Sequence, residues 1–247
     1  MSLPLVFIHG WGQHSGAWQP LLDGLSAHAV HTLALPGHDG TQWQAPGFDL
    51  DKLVDAYAAQ VPAQCVVIGW SLGGIIALRW AQRYPQQVQQ LVVMASTPCF
   101  GQRPDWPHGA AADVQAAFAA AVAAAPGQAL QHFSDLLAEG EADVRGVRRQ
   151  LRALLAAAPI PDQTALTAGL AFLAQTDMRA SLRDQPPQQA TLLLQGEGDT
   201  ITPFAAAQWL AATLPQARLH ALPQCGHAPM LSHASEVLQA LQNFLDE

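Results

Sequence analysis

The sequence has few cysteines and no long apolar run. Its three cysteines, Cys65, Cys99 and Cys225, are far apart and form no Cys-x-x-Cys pair, which argues against a disulfide framework and against a cysteine-based zinc site. Reduced thiols are typical of cytosolic proteins, so we expect a cytoplasmic location. Proline, glycine, glutamine or a charged residue interrupts every apolar stretch before it reaches 18 residues, and therefore no transmembrane helix is predicted.

Charged residues are also scarce. They make up 12% of the 247 residues, against 50% apolar residues, a balance that predicts a large buried core and excludes extensive disorder. The net charge of −8 excludes a nucleic-acid-binding surface over the whole protein. The apolar N-terminus lacks a basic segment and a small-residue cleavage site, so we interpret residues 5–8 as a buried strand rather than a signal peptide. We expect a monomer that binds neither nucleic acid nor membrane.

Short apolar runs alternate with helical stretches along most of the chain. This alternation is typical of a mostly parallel sheet with helices on both faces. The runs lack polar alternation, so we expect each strand to be buried on both faces. Strands are predicted at residues 5–9, 31–34, 65–68, 91–95, 191–195 and 219–222, and helices at 49–60, 71–84, 204–214 and 234–246.

The alternation stops for nearly a hundred residues before the fifth run. Helical segments at 110–125, 142–158 and 163–176 lie there instead, separated by prolines. We therefore predict a core made of residues 1–99 and 186–247, with residues 100–185 inserted as a helical lid over the active site. The alternative is a helical insertion with no role in binding.

Ser71 is the predicted nucleophile. It stands in Gly69-Trp70-Ser71-Leu72-Gly73, between an apolar strand and a helical segment, which is the context that the G-x-S-x-G motif of the α/β-hydrolase fold requires. A Cβ on Gly69 or Gly73 would collide with the neighbouring strand or helix. The alternative is a structural serine in a tight turn.

A serine nucleophile needs a histidine base and a carboxylate that orients it. In this fold they follow in the order Ser, acid, His, each on a loop after a strand. Asp199 is the predicted acid, with Glu197 as a competitor that we expect to face solvent. His227 is the predicted base, while His233 is interpreted as an exposed helix-cap residue.

The tetrahedral intermediate of ester hydrolysis needs two N–H donors. Leu72, the residue after the nucleophile, supplies the first predicted donor. Trp11, in the loop His9-Gly10-Trp11-Gly12 after the first strand, supplies the second. We interpret His9 as a brace for this backbone, with a role as general base as the alternative.

Four motifs together resemble the α/β-hydrolase superfamily: residues 9–12, 69–74, 196–199 and 225–229. More narrowly, the chain resembles the BioH family, the pimeloyl-[acyl-carrier protein] methyl ester carboxylesterases of biotin synthesis. The narrower resemblance is carried by Trp70, by residues 95–100, by Trp106-Pro107 and by residues 157–161.

The resemblance implies an esterase without metal or organic cofactor, whose partner is the acyl-carrier protein bearing the substrate. It implies substrate contacts at Trp11, Ser71, Leu72 and His227. A less discriminating match by position adds a lid segment made of Phe133, Ser134, Asp135, Leu136 and Leu137.

A basic stripe is an independent indication of an acidic partner. Arg145, Arg148, Arg149 and Arg152 share one helical face, because their spacing is that of successive turns. Such a stripe on an acidic protein suits an acidic carrier protein, and a solvated helix face is the alternative. In the family, lid arginines hold the carrier. Arg145 and Arg149 match such positions, whereas two others fall on Gln128 and His132.

These observations predict a serine carboxylesterase acting on the methyl ester of pimeloyl-[acyl-carrier protein]. Two alternatives stay open. One is a broad-specificity short-chain esterase, lactonase or C–C-bond hydrolase of the same fold, acting on small-molecule esters or related substrates. The other is a hydrolase-like receptor or scaffold without catalysis.

Overall fold

A computed structural model describes residues 2–43 and 48–247. In these residues, six parallel strands form one sheet, in the order β2-β1-β3-β4-β5-β6. The α/β-hydrolase fold class is therefore confirmed, and each predicted strand is present with shifted ends. The strands are β1 (Leu5–Ile8), β2 (Val30–Leu33), β3 (Cys65–Trp70), β4 (Val88–Met94), β5 (Ala190–Gly196) and β6 (Ala217–Leu222).

Helices follow each strand along the chain. Those described are α1 (Gln19–Leu22), α2 (Leu50–Ala58), α3 (Leu72–Arg83), α4 (Ala112–Ala124), α5 (Pro126–Leu137), α6 (Val144–Ala157), α7 (Gln163–Gln175), α8 (Arg179–Asp184), α9 (Phe204–Thr213), α10 (Pro229–Ser232) and α11 (Ala234–Leu245). None of them combines the length and apolar character needed to cross a membrane.

Helices cover both faces of the sheet because strand residues alternate between two apolar clusters. In β1, Leu5 and Phe7 belong to a cluster completed by α1, α10 and α11. Val6 and Ile8 belong to the opposite cluster, completed by α2, α3 and α9. Successive side chains of a strand point to opposite faces, so a strand covered on both sides must be apolar throughout.

The two edge strands depart from this pattern. Every residue of β1 and β3 is buried, but β2 is buried only at its last residue and β6 only at its last residue. The expectation that every strand is buried on both faces is therefore wrong for β2 and β6. An edge strand has one neighbour and less cover from the helices, which explains the exposure.

Five helices, α4 to α8, lie between β4 and β5 in the described chain. Three of them match the predicted segments, whereas α5 and α8 were not predicted. The reason for missing α5 is Pro126, which interrupts the helical pattern but occupies the first position of the helix. Proline is tolerated there because its missing N–H has no intrahelical acceptor. The loop between α5 and α6, residues 138–143, is called the α5–α6 loop below.

Candidate active site

Ser71 lies at a sharp turn between the end of β3 and the start of α3. Its backbone adopts φ 56° and ψ −118°, a conformation that costs a non-glycine residue of the order of 1–3 kcal/mol. Two hydrogen bonds hold it: Ser71 N–H donates to Met94 O at 2.9 Å, and Ser96 Oγ donates to Ser71 O at 2.7 Å. The turn that G-x-S-x-G requires is therefore present.

Glycines around the turn allow three elements to meet at the serine. A Cβ on Gly69 would collide with Gly73 O, and a Cβ on Gly73 would collide with Ile8 O of β1. A Cβ on Gly10 would lie 3.0 Å from Ser71 Cβ. The loop after β1 consequently passes directly against the serine.

Asp199 and His227 form a buried pair after β5 and β6. His227 Nδ1 lies 2.8 Å from Asp199 Oδ2, and both side chains are almost completely shielded from solvent. Thr202 Oγ1 donates to the same oxygen at 2.6 Å, and Gln195 Nε2 donates to it at 2.8 Å. The other oxygen, Oδ1, accepts from the N–H groups of Ile201 and Thr202, both at 2.9 Å.

The electrostatics favour an ionised Asp199. Burial would raise the pKa of this carboxyl, but the facing His227 and the hydrogen bonds from Thr202 lower it, and the net effect is a pKa below the ordinary value. A carboxylate that accepts from Nδ1 fixes the imidazole tautomer with its lone pair on Nε2.

His227 Nε2 is the atom that would take a proton from the serine. It is buried and has no hydrogen-bond partner among the described residues. Ser71 Oγ therefore makes no hydrogen bond to Nε2 in this structure. The loops of Ser71 and His227 are linked by another contact, in which Trp70 Nε1 donates to His227 O at 2.8 Å. Catalytic hydrogen bonds are often long before substrate is bound.

The two predicted oxyanion donors flank Ser71. Leu72 is the first residue of α3, so its N–H has no intrahelical acceptor. No acceptor within the described part of the chain takes the Trp11 N–H. The Trp11 side chain is committed elsewhere: Nε1 donates to Leu166 O at 2.9 Å, and the ring packs edge-on against Phe133 at 5.0 Å.

Two buried histidines brace the loop that carries Trp11. His9 Nε2 accepts from Leu35 N–H at 3.1 Å while Nδ1 donates to Gly10 O at 2.8 Å. His38 Nε2 accepts from Gly12 N–H at 3.1 Å. The interpretation of His9 as a brace is confirmed, whereas His38 was not predicted.

Both of these histidines are neutral in the folded protein. Burial lowers the pKa of His9 to about 3, with the nearby His38 as a further cause, and burial lowers the pKa of His38 to about 4. Each Nε2 accepts a backbone N–H, so a proton on it would face a donor. These histidines therefore hold backbone rather than carry protons.

Glu197 and His233, the other candidates near the predicted acid and base, lie outside the Asp199–His227 pair. Glu197 is exposed, as expected. His233 precedes α11 but makes no capping hydrogen bond, and its side chain is only 21% exposed. His233 is the N-cap residue of α11, as predicted, but the prediction that it is exposed is wrong, because the side chain turns inward toward Ser232 and Glu141.

The predicted lid segment of α5 points in several directions. Phe133 packs against Trp11, and the carbonyl of Leu137 accepts from His227 N–H at 3.4 Å. The buried Ser134 donates within its own helix to Leu130 O at 3.0 Å. Asp135 is engaged by arginines of α6, and Leu136 is partly buried. Phe133 and Leu137 thus lie beside the site, while Ser134 and Asp135 are committed to other contacts.

The arginine stripe divides into two pairs. Arg148 and Arg152 pair with Asp135 of α5 at 3.1 and 3.0 Å. Arg145 and Arg149 are exposed and have no ion pair with any described residue. Two of the four predicted docking residues are thus partly neutralised within the chain itself.

The α5–α6 loop is wedged against the loop that carries the acid. Gly140 has φ 80°, and a Cβ on it would collide with Gly198 O. A Cβ on Gly198 would in turn collide with Gly140 O. Gly198 immediately precedes Asp199, so the α5–α6 loop packs against the backbone next to this carboxylate.

The same loop also touches the loop that carries the base. A Cβ on Gly226 would collide with Glu139 O, and Ala142 N–H donates to Gln224 O at 2.9 Å. Gly226 immediately precedes His227. The α5–α6 loop therefore contacts the loops of both the predicted acid and the predicted base.

Comparison with known proteins places this architecture. The model of the "Alpha/beta hydrolase family" matches residues 5–240. The chain belongs to the alpha/beta hydrolase family. One relative, from Aromatoleum aromaticum, is 43% identical over 94% of both chains, and one from Nitrosomonas europaea is 41% identical over 92% of this chain and 90% of its own. Each of these relatives is named a pimeloyl-[acyl-carrier protein] methyl ester esterase.

Several solved structures are similar to this chain in fold at low sequence identity. A bromoperoxidase from Bacillus anthracis and an esterase from Exiguobacterium antarcticum each superpose with a TM-score of 0.88 at 19% identity, over all of this chain and 93% and 94% of theirs. An enol-lactonase from Burkholderia xenovorans superposes with a TM-score of 0.84 at 17% identity, over all of this chain and 93% of its own. These different activities share one fold, so the fold alone does not select the substrate.

Three residues of this family member's site were missed by sequence reasoning. Gln195 and Thr202 both donate to Asp199, and His38 supports the loop of Trp11. A weak signal existed for Gln195, a polar residue directly after three leucines of β5. No comparable pattern marked Thr202 or His38.

Proposed function

We propose that this protein is a carboxylesterase that hydrolyses the methyl ester of pimeloyl-[acyl-carrier protein] in biotin synthesis. The observation that carries the chemistry is the strained Ser71 turn beside the buried Asp199–His227 pair. The substrate is inferred from the relatives, which are 41–43% identical over at least nine-tenths of each chain and carry that name.

Acylation starts with Ser71 Oγ. Oγ attacks the ester carbonyl while its proton passes to His227 Nε2, and Asp199 stabilises the resulting imidazolium. The N–H groups of Trp11 and Leu72 donate to the oxyanion of the tetrahedral intermediate. Nε2 then returns the proton to the leaving oxygen, so that methanol departs and the pimeloyl group stays on the serine.

Deacylation repeats these steps with water as the nucleophile. His227 Nε2 takes a proton from water as the hydroxide attacks the acyl-enzyme, and returns it to Ser71 Oγ as the carboxylic acid leaves. The free lone pair of Nε2 is suited to both steps, because no described residue occupies it.

Residues 100–185 are proposed to form the lid, with residues 1–99 and 186–247 as the core. Phe133 supports this assignment, because its ring packs on Trp11 and so brings α5 over the oxyanion loop. Arg145, Arg148, Arg149 and Arg152 are the proposed docking surface for the acidic carrier. Arg145 and Arg149 are its principal contacts, since Asp135 engages the other two.

The enzyme is proposed to be a cytoplasmic monomer. Cys65, Cys99 and Cys225 are all buried and unpaired with one another. Burial raises the pKa of Cys65 to about 11, so this thiol is not reactive at neutral pH.

The test compares two substrates on one enzyme preparation. We expect kcat/KM for pimeloyl-carrier methyl ester to exceed kcat/KM for short p-nitrophenyl esters, and we expect Ser71→Ala to abolish both activities. The gene should also restore growth of a biotin auxotroph that lacks its own methyl esterase, while the Ser71→Ala version should not. Equal rates on both substrates would instead indicate a broad-specificity esterase.

A further inference from the structure

A second cluster of ligand-type side chains lies behind the base, outside the path of the ester reaction. It consists of Glu141 from the α5–α6 loop, Cys225 from the loop after β6, and His233 between α10 and α11. One ligand atom from each of the three lies within 4.8 Å of the others. Glu141 and Cys225 are buried and His233 is partly buried.

Glu141 is the unusual member of this cluster. Its side chain is 1% exposed, and its Oε1 has no hydrogen-bond partner among the described residues. Oε1 lies against Gly226, next to Cys225, since a Cβ on Gly226 would be 3.1 Å from it. Oε2 lies 4.0 Å from His233 Nδ1, too far for a hydrogen bond. Burial raises the pKa of this carboxyl, and its ionised form, with an unpaired oxygen, is costly unless a cation or a donor compensates it.

The chemistry of the donors selects the cation. A thiolate, an imidazole and a carboxylate together suit a borderline-soft ion and not magnesium or calcium, which take oxygen ligands. We propose that Glu141, Cys225 and His233 form a binding site for a divalent metal ion of the zinc class. On binding, the Cys225 thiol releases its proton to solvent, so the thiolate and the carboxylate balance the two positive charges.

The three ligand atoms are somewhat farther apart than in a zinc site. Zinc bond lengths place ligand atoms about 3.3–3.6 Å apart, so the three side chains need to close by about 1 Å. Ser232 Oγ lies 3.5 Å from Cys225 Sγ and 2.8 Å from His233 Nδ1, so metal binding through Nδ1 would replace this hydrogen bond. His233 is the partly exposed member and provides the entry path.

Such an ion would join three separate elements around the base. Glu141 belongs to the lid side, Cys225 precedes His227 by two residues, and His233 starts the last helix. The site is therefore structural with respect to the ester reaction, and its occupancy should stabilise the contact between the α5–α6 loop and the core.

The test uses the full chain, first stripped with a chelator and then titrated with Co²⁺ as a spectroscopic substitute for Zn²⁺. We expect a thiolate-to-cobalt charge-transfer band that saturates at about one equivalent per chain and disappears when Zn²⁺ is added. Zn²⁺ at about a hundredfold excess over Kd should raise the thermal midpoint by roughly 5–10 °C. No charge-transfer band in the folded wild type would overturn the proposal.

Variants of the cluster make the assignment specific. Cys225→Ser should remove the band, and Glu141→Gln and His233→Asn should each weaken Zn²⁺ binding about 100-fold, with circular dichroism confirming that each variant is folded. Cys99→Ser and His220→Asn are the matched controls, because they alter another buried thiol and the surface His220–Glu236 pair. Equal metal binding in all these variants would mean an adventitious ion only and would overturn the site.

The proposal is independent of the proposed esterase function. Ser71→Ala should retain the cobalt spectrum of the wild type while losing hydrolysis. An intact cobalt spectrum in a protein without hydrolysis would support the metal site and contradict only the esterase proposal. An active enzyme without the cobalt spectrum would contradict only the metal site.

Discussion

The two sides of the candidate site are held in place by different means. On the proposed acid–base side, Gly198 and Gly226, the residues before Asp199 and His227, are interlocked with the α5–α6 loop. On the proposed oxyanion side, the loop of Trp11 is held by two buried histidines: Gly12 N–H donates to His38 Nε2, and His9 Nδ1 donates to Gly10 O.

Because their supports differ, the two sides should respond to different changes in the protein or its surroundings. In the proposed mechanism, the loops of Asp199 and His227 rest on the α5–α6 loop, so a change in residues 138–143 should affect the chemical step itself. The oxyanion loop depends on two neutral imidazoles, so it should be sensitive to protonation. The exposed arginines of α6 touch neither support, and changes there should affect only carrier recognition.

As the pH falls, the histidines of the oxyanion side should be the first of these groups to lower the free energy of unfolding, and they should lower it most. The unfolded chain takes up protons on His9 and His38 below about pH 6.5, whereas the folded chain resists until about pH 3 and 4. Stability from these residues is therefore complete above pH 6.5 and falls by about 1.4 kcal/mol per pH unit for each histidine. We expect the free energy of unfolding, measured in urea, to drop by roughly 4 kcal/mol between pH 7.5 and pH 5.

The acid–base side should respond in a lower window. The pKa of Asp199 is lowered in the folded chain, so its contribution to stability is present above about pH 3.8 and is lost only as the pH falls further.

His38→Asn tests the contribution of the histidines. It should reduce the change in the free energy of unfolding per pH unit between pH 6.5 and 5 by about half, with the stability of the variant at pH 8 as the reference. A wild-type free energy that stays constant from pH 7.5 to 5 would contradict the account.

Gly140→Ala should damage the acid–base side. The new Cβ collides with Gly198 O, and a displacement of about 1 Å in a catalytic group can cost about 100-fold in rate. We expect kcat for p-nitrophenyl esters and for the carrier-bound ester to fall together by about 100-fold, with little change in KM.

Gly40→Ala is the matched control for this substitution. Gly40 has φ 74°, similar to the 80° of Gly140, but a Cβ there meets nothing within 4 Å. It therefore carries the same backbone strain without the collision. Circular dichroism checks that both variants are folded, and equal activities of the two would show that the interlock does not position the acid.

Charge reversal on α6 should leave both sides of the site intact. The double variant Arg145→Glu/Arg149→Glu removes attraction to an acidic carrier, so we expect KM for the carrier-bound ester to rise about 10-fold. Hydrolysis of p-nitrophenyl esters should stay within about twofold of the wild type, because neither arginine contacts the site.

Lys52→Glu/Arg218→Glu is the control for net charge. Both side chains are exposed, at 83% and 69%, and the total change in charge is the same. If this control raises KM as much as the α6 variant does, the effect is long-range charge and not a docking surface.

Much of this architecture could be predicted because it depends on local pattern. The strand–turn–helix around Ser71 follows from the glycine spacing, and Asp199 and His227 follow from their places after apolar runs. Family membership followed from the same motifs. The exposure of β2 and β6 could not be predicted, because no local signal tells an edge strand from a central one.

The supports of the site depend on contacts between distant residues. The interlock of Gly140 with Gly198 joins the lid to the loop after β5, and nothing near either glycine in the sequence indicates the other. The pairing of Arg148 and Arg152 with Asp135 requires α5, and this helix was not predicted because Pro126 interrupts the helical pattern in the sequence. The inward turn of His233 toward Glu141 is a tertiary contact of the same kind.

The central claim is that Ser71 is the nucleophile, and covalent labelling tests it most directly. A fluorophosphonate probe should add one phosphonyl group per chain, located by peptide mass spectrometry on Ser71, and Ser71→Ala should stay unlabelled. His227→Ala should slow labelling, because the proton acceptor is lost. A folded wild-type protein that is not labelled, or is labelled at another residue, would contradict the account.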